Sequence, residues 1–341
     1  MPDRAAEVVV ITGASAGIGR AAVREFARHG AMIALIAREP ERLEAARSEA
    51  ERLGSPRAIA IPADTSDYAA LDAAAERAEQ ELGPIDIWVN NAMATIFAPF
   101  ADIAPEDFRR VTDVTYHGFV WGTMVALKRM RARDRGTILQ VGSALAYRSI
   151  PLQSPYCGAK HAIKGFTQAL RTELEHDRSK VHLVIVDMPG VNTPQFEWCK
   201  TTLRRHPKPT GTTYQPEVAG RAIWWAAHSR RAEICVGYPT LGAVLAEKFV
   251  PRLLDRYLAR TGIAGQQTDE AIPADRPDNL WKPVPGPFAA HGSFDRGAWT
   301  VSPEFWAAKH RGWLWGAAAL GVGLYGLTKR TKGGKDEQDR R

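Results

Sequence analysis

Tyr156 and Lys160 stand four residues apart, and Ser143 lies thirteen positions upstream of the tyrosine. Side chains four apart share one face of a helix, a turn from each other. A phenol titrates near ~10 in water and exchanges protons poorly at neutral pH. An ammonium held beside it favours the phenolate and lowers that pKa. With Ser143 holding a substrate oxygen, Tyr156 could then give or take a proton at a carbonyl or an alcohol. Alone, Tyr156-Cys157-Gly158-Ala159-Lys160 reads more readily as a surface helix with an unrelated Tyr and Lys. Its surroundings decide between the two readings.

Those groups need a frame. Val8-Val9-Val10-Ile11-Thr12 is a β-branched run suited to a strand covered on both faces. It leads into Gly13-Ala14-Ser15-Ala16-Gly17-Ile18-Gly19 and a helical stretch to about His29, which Gly30 ends. Glycines between a strand and a helix let the backbone approach a pyrophosphate, and the helix N-terminus favours its charge. The spacing Gly-x-x-x-Gly-x-Gly differs from the general dinucleotide fingerprint. The next run, Met32 to Ala37, ends at Arg38. An acidic side chain there would bind a ribose 2′-hydroxyl, whereas a guanidinium favours a 2′-phosphate, so NADP(H) is expected rather than NAD(H). A helix from Pro40 to Leu53 precedes the third strand, Ala58 to Pro62. Asp64, just beyond it, could accept from an adenine amine or cap the helix Tyr68 to Leu82. Ile85 to Val89 follows as the fourth strand and ends in Asn90-Asn91-Ala92-Met93. A long helical region from Glu106 to Met130 comes next, and strand Gly136 to Val141 leads to Ser143. The helix Gln153 to Asp177 carries Tyr156 and Lys160. A sixth strand, Val181 to Val186, opens onto Asp187-Met188-Pro189-Gly190-Val191-Asn192-Thr193. Six strands separated by helices argue for an α/β fold with a doubly wound parallel sheet. Every candidate residue falls at or past a strand's carboxyl end, where such sheets bind ligands.

Taken together, Thr12-Gly13-x-x-x-Gly17-x-Gly19, Asn90-Asn91-Ala92, Ser143 and Tyr156-x-x-x-Lys160 resemble the short-chain dehydrogenase/reductase family, with its single Rossmann-fold domain of about 250 residues. The resemblance covers roughly Glu7 to Gly242. It implies Tyr156 as the acid/base and Ser143 as the group that orients the substrate oxygen. Lys160 would bind the nicotinamide ribose, and Thr193 the nicotinamide amide or a phosphate. Thr12, Gly13, Ser15, Gly17, Ile18, Gly19, Asp64, Asn90, Ala92 and Pro189 would complete the cofactor site, with Arg38 marking NADP preference. There are three departures. Met93 replaces the usual glycine after Asn-Asn-Ala, and Thr115, ahead of Gly118, takes the place of the catalytic asparagine. The Pro-Gly after the sixth strand is displaced by one position relative to Thr193. The activity implied is interconversion of a secondary alcohol and a ketone on a small carbonyl or alcohol substrate. A membrane-associated NADP(H)-binding scaffold with weak or no turnover is the alternative that Thr115 and Met93 leave open. Homo-oligomers through the central and Tyr-bearing helices are common in the family.

The composition is that of a globular protein, with 45% hydrophobic and 24% charged residues and a net charge of +7. Six Lys/Arg and three Asp/Glu between Thr328 and Arg341 supply +3 of that charge. No basic stripe interleaved with aromatics suggests nucleic acid. Cys157, Cys199 and Cys235 have neither metal-ligand nor disulfide spacing, so no metal is expected. The polar start, without an apolar leader, points to a cytoplasmic catalytic domain spanning residues 7–242. Within it, residues 201–217 read as a lid over the cleft or a surface loop, and Trp224-Trp225 as core packing. An extension, 243–310, follows. Its segment Val244 to Arg260 has helical apolar spacing with basic residues between, suited to covering the cleft, meeting a second subunit or resting on a membrane. Five prolines between Pro273 and Pro287 predict an extended connection, and Trp281, Trp299 and Trp306 suggest that it docks. Residues 313–327 are uncharged. At fifteen residues the run is short of the ~20 that span a bilayer. A short anchor, an interfacial helix and soluble packing all remain open for 311–328, with 329–341 as a charged tail. Membrane contact there would make an apolar substrate the natural expectation.

Overall fold

The computed structural model describes residues 6–273 and 275–311. One compact unit runs through Ser302, and a second begins at Pro303 with the short helix Pro303–Lys309.

Seven strands form the central sheet: β1 (Val8–Thr12), β2 (Met32–Ala37), β3 (Ala58–Pro62), β4 (Ile87–Asn90), β5 (Gly136–Ser143), β6 (Val181–Met188) and β7 (Glu233–Cys235). Their order is β7-β6-β5-β4-β1-β2-β3, and every neighbouring pair is parallel. This is the doubly wound Rossmann-type arrangement. The order reverses between β1 and β4, which opens a crevice past their carboxyl ends. The sequence reading did not reach β7. Three residues are too few to show a period, and the strand exists by pairing with β6.

Helices α1 (Gly17–Arg28), α2 (Pro40–Arg52), α3 (Tyr68–Leu82), α4 (Pro105–Thr112), α5 (Gly118–Arg131), α6 (Ser154–His176) and α7 (Pro216–Ala227) cover the sheet. Val8, Val10, Ala34 and Ile36 project from alternate positions onto one face and pack against Leu71 and Ala75 of α3 and Val125 and Ala126 of α5. Fully burying such a side chain contributes roughly 1.5–3 kcal/mol for the larger aliphatics. The expected helix 106–130 is divided. A π turn, Asp113–His117, joins α4 to α5 and places Thr115 at the junction.

Residues 201–217 are pinned at several points. Lys200–Thr201 pairs with Ile96–Phe97, Arg205–Pro207 with Gln267–Ala271, and Thr213–Tyr214 with Gly190–Val191. Trp224 and Trp225 are half-buried rather than core, and Trp224 stacks on His29 with ring centres 3.8 Å apart.

The single helix expected at 244–260 is two helices, α8 (Tyr238–Phe249) and α9 (Pro251–Thr261). Val250 leaves the helical region at φ −138°, ψ 48°, as the residue before a proline tends to. Arg148 holds both helices to the body through Glu247 (2.8 Å) and Asp255 (2.5 Å). Phe249, Leu253 and Tyr257 remain 73%, 62% and 60% exposed. Among the described residues no helix is long and apolar enough to cross a membrane. The apolar run 313–327 and the tail 329–341 lie outside the described residues.

Candidate active site

The ends of β1 and β4 are tied together by side chains. Thr12 Oγ1 donates to Val89 O (3.2 Å) and accepts from the N–H groups of Asn91 (2.9 Å) and Ala92 (3.2 Å). Asn91 Nδ2 donates back to Thr12 O (3.0 Å) and Gly13 O (3.3 Å). Gly13 has φ +66°, and a Cβ there would lie 2.8 Å from Ala92 Cα. A Cβ on Gly19 would lie 2.1 Å from Gly13 O, so only glycine lets α1 start this close to β1. The first turn of α1 has neither a side-chain cap nor an acidic residue, which leaves its positive end open to an anion. One of its amides, Gly17 N–H, donates to Ala289 O at 3.0 Å.

A cavity of about 340 Å³ follows this loop and extends to Ser143, the last residue of β5, and to Tyr156 and Lys160 on α6. Gly13, Ser15, Gly17, Ile18, Arg38, Asp64, Ala92, Met93, Pro189 and Thr193 line the same cavity. Lys160 is buried; its Nζ donates to Val141 O (2.7 Å) and lies 4.5 Å from the Phe119 ring centre and 5.5 Å from that of Tyr156. The electrostatics run opposite to the sequence expectation. Loss of hydration raises the Tyr156 hydroxyl above its ordinary range, and the nearby Ser143 only partly offsets this. The same burial pushes Lys160 down to about 7, against a smaller opposing pull from Asp187. In this structure burial, rather than the attraction between ammonium and phenol, dominates the shift of both groups.

Asp187, at the end of β6, is a participant that the sequence reading passed over. Its Oδ1 accepts from Ser143 N–H (3.1 Å), which holds the serine in place. The Tyr147 hydroxyl lies 2.8 Å from Asp187 Oδ2 and also within hydrogen-bonding reach of Glu233. One phenolic proton cannot serve two carboxylates, so one acid keeps its own. Burial pushes Asp187 up to about 7, so of the two it is the one whose carboxyl is displaced toward the protonated form. Asp187, Glu233 and Cys235 bring possible metal donors close together, but Tyr147 and Lys164 already engage the carboxylates. A carboxylate closing a buried strand was the available signal for Asp187.

Other candidates are engaged by the protein's own groups. Thr115 is buried and bonded to the Ala94 backbone in both directions, accepting from its N–H at 3.0 Å and donating to its C=O at 2.9 Å. It does not line the cavity, because the π turn directs its hydroxyl into the protein. Asn90 is likewise internal, bonded to Trp88, Thr123 and Gln140. Thr12 and Gly19 shape the loop from behind the cavity wall. Asp64 accepts from Ser66 and pairs with Arg110; burial raises its pKa less than these partners lower it. Arg38 donates to three main-chain carbonyls: Leu280 (3.2 Å), Trp281 (3.3 Å) and Asn279. Arg42, beside it on the wall, donates to Val284 O. Asn279 and Pro283 complete that wall, and no local sequence signal could have placed them there.

A glycine cradle, open amides and two guanidinia fit the phosphates of a dinucleotide. Residues 7–202 match the family model described as short chain dehydrogenase. The chain belongs to the short-chain dehydrogenase family. This dehydrogenase is 30% identical over 332 residues to Uncharacterized oxidoreductase YxnA of Bacillus subtilis, covering 96% of this chain and 91% of that one. It is 29% identical over 192 residues to 3-dehydrosphinganine reductase of Danio rerio, covering 55% and 57% respectively. A third relative, 11-beta-hydroxysteroid dehydrogenase 1A of Arabidopsis thaliana, is 37% identical over 187 residues, 54% of this chain and 52% of that protein. The match thus spans little more than half of the latter two, whereas the likeness to YxnA includes the extension. As a member of this family the chain is an NAD(P)-dependent oxidoreductase acting on CH–OH groups.

Proposed function

We propose that this dehydrogenase uses NADP(H) to interconvert a secondary alcohol and a ketone on an apolar substrate. The observation that carries the proposal is that Ser143, Tyr156 and Lys160 share the wall of the cavity that the glycine loop also lines. A bound nicotinamide supplies or accepts the hydride. Ser143 donates to the substrate oxygen, and Tyr156 gives that oxygen its proton in reduction or removes it in oxidation. Lys160 would hold the nicotinamide ribose, and Thr193 would meet the amide or a phosphate. Arg38, with Arg42 next to it, supports the choice of NADP(H). The adjacent acid, Glu39, caps α2 by accepting from the N–H groups of Glu41 and Arg42. Phe97, Val114, Ile150, Met188 and Phe196 give the cavity apolar walls that exclude water and suit a greasy substrate. Two relatives are named for 3-dehydrosphinganine and an 11-beta-hydroxysteroid, both lipid-like molecules. In this reading residues 7–242 carry the chemistry, and 243–310 add to the walls.

Following NADPH and NADH oxidation with a panel of ketones, from short polar to long-chain and polycyclic, tests each part. We expect NADPH and the apolar ketones to be preferred. Equal rates with NADH would remove the NADP(H) assignment. A preference for short polar ketones would remove the apolar one. Membrane contact through 313–327 belongs to the same proposal, and comparing membrane and soluble fractions with and without residues 312–341 tests it. Unchanged membrane retention of the truncated chain would count against it.

A further inference from the structure

We propose that residues 279–292 form a clasp over the dinucleotide, so that a bound cofactor lies beneath this segment and leaves only when it opens. The inference rests on reading the cavity as the dinucleotide site. The segment crosses the carboxyl edge of the sheet, the line along which that site runs. It meets Arg38 past β2, then Gly17 past β1 through Ala289 O, then Thr193 past β6, where a Cβ on Gly292 would lie 2.5 Å from Thr193 O.

Both ends are anchored. At the first, Leu280 is fully buried in a cluster with Ala94, Ile96, Val111 and Val114, against which Tyr156 also packs. Leu280 O accepts from Arg38 (3.2 Å) and Arg110 (3.1 Å), and Trp281 Nε1 donates to Asp107 (2.8 Å). At the second, Phe294 N–H donates to Asn192 Oδ1 (2.9 Å), and His291 bridges Glu217 (2.9 Å) and Asp295 (2.8 Å). The span between them contains Pro283, Pro285 and Pro287, which reduce the entropy lost on ordering it.

The clasp neutralises no charge. It offers only carbonyls to Arg38 and Arg42, so it takes no charge from either guanidinium, although Arg42 also pairs with Glu39 at 3.7 Å. Three of the roughly five N–H donors of Arg38 are used, which fixes the side chain and leaves donors free. The segment thus works as a third wall that positions the phosphate-facing arginines. Its opening would gate cofactor exchange, as lid motions do elsewhere.

The test uses the full chain with NADPH as probe. Amide hydrogen exchange across 279–292 should slow when NADPH is bound. NADPH release, read by stopped-flow fluorescence, should be roughly five- to tenfold faster in the double variant Pro285→Gly/Pro287→Gly, and also in Leu280→Ala. The proline variant loosens the span without touching the core, so it remains informative should Leu280→Ala fold poorly. Exchange that is unchanged or faster with NADPH, or wild-type release in the proline variant, overturns the clasp. A wild-type chain that binds neither NADPH nor NADH overturns the site reading, and the clasp with it.

Discussion

The Tyr156 hydroxyl sits where burial works against its own ionisation, so its role depends on partners that stabilise charge only when proton transfer occurs. Tyr156→Phe should lower kcat roughly 10²–10⁴-fold while NADPH still binds, as steady-state rates and a fluorescence titration would show. Lys160, pushed down to about 7, carries its proton below that pH and loses it above. A nucleotide that accepts from the ammonium binds the protonated form, so NADPH affinity should weaken as the pH rises through about 7. A flat binding curve between about pH 6 and 9 would contradict this. Asp187 has the opposite shift, standing above its unfolded value near ~3.9. Its contribution to stability is complete below that value and is lost as the pH rises through about 7. The melting-temperature deficit of Asp187→Asn should therefore be larger near pH 5 than near pH 8. Thr115 belongs to the fold rather than the chemistry. Thr115→Val strands the Ala94 N–H and should cost about 1–3 kcal/mol in denaturant unfolding, with kcat/KM changed less than about threefold.

At the scale of elements, the approach of α1 to β1 leaves no room for a methyl group. Gly19→Ala places a carbon 2.1 Å from Gly13 O; it should cost about 1–3 kcal/mol and weaken NADPH binding as the loop shifts. β1 to β6 were legible because each is a run of apolar or β-branched residues bounded by turn signals. β7 was not, since its three residues acquire a strand's geometry only from β6. The long central helix was legible in extent but not in phase. A π turn inserts one extra residue per turn, and spacing alone does not reveal it. That phase difference turns Thr115 away from the cavity, so the family resemblance identified its position but not its direction.

For the molecule as a whole, the expected end of the family body near Gly242 differs from the end of the compact unit at Ser302. The intervening residues place carbonyls on Arg38 and Arg42 and walls on the cavity. A chain ending at Ser302 should bind NADPH as the full chain does, whereas one ending at Gly242 should not; calorimetric titration of the two separates these outcomes. The likeness to YxnA across the extension accords with a body that is incomplete without it.

Local pattern was enough to establish the doubly wound sheet and the shared helix face of Tyr156 and Lys160, because apolar strand runs, helical spacing and glycine turns are properties of adjacent residues; Ser143 joined them only through the family resemblance. The direction in which Tyr156 and Lys160 titrate, the tying of Thr115 to Ala94, the Tyr147 hydroxyl set between Asp187 and Glu233, and the carbonyls facing Arg38 came only with the tertiary structure. Each depends on how much water a group loses and which distant segment replaces it. The chain from 279 to 284 reaches Arg38 and Arg42 across some 240 residues of sequence, a distance at which no period or spacing carries information.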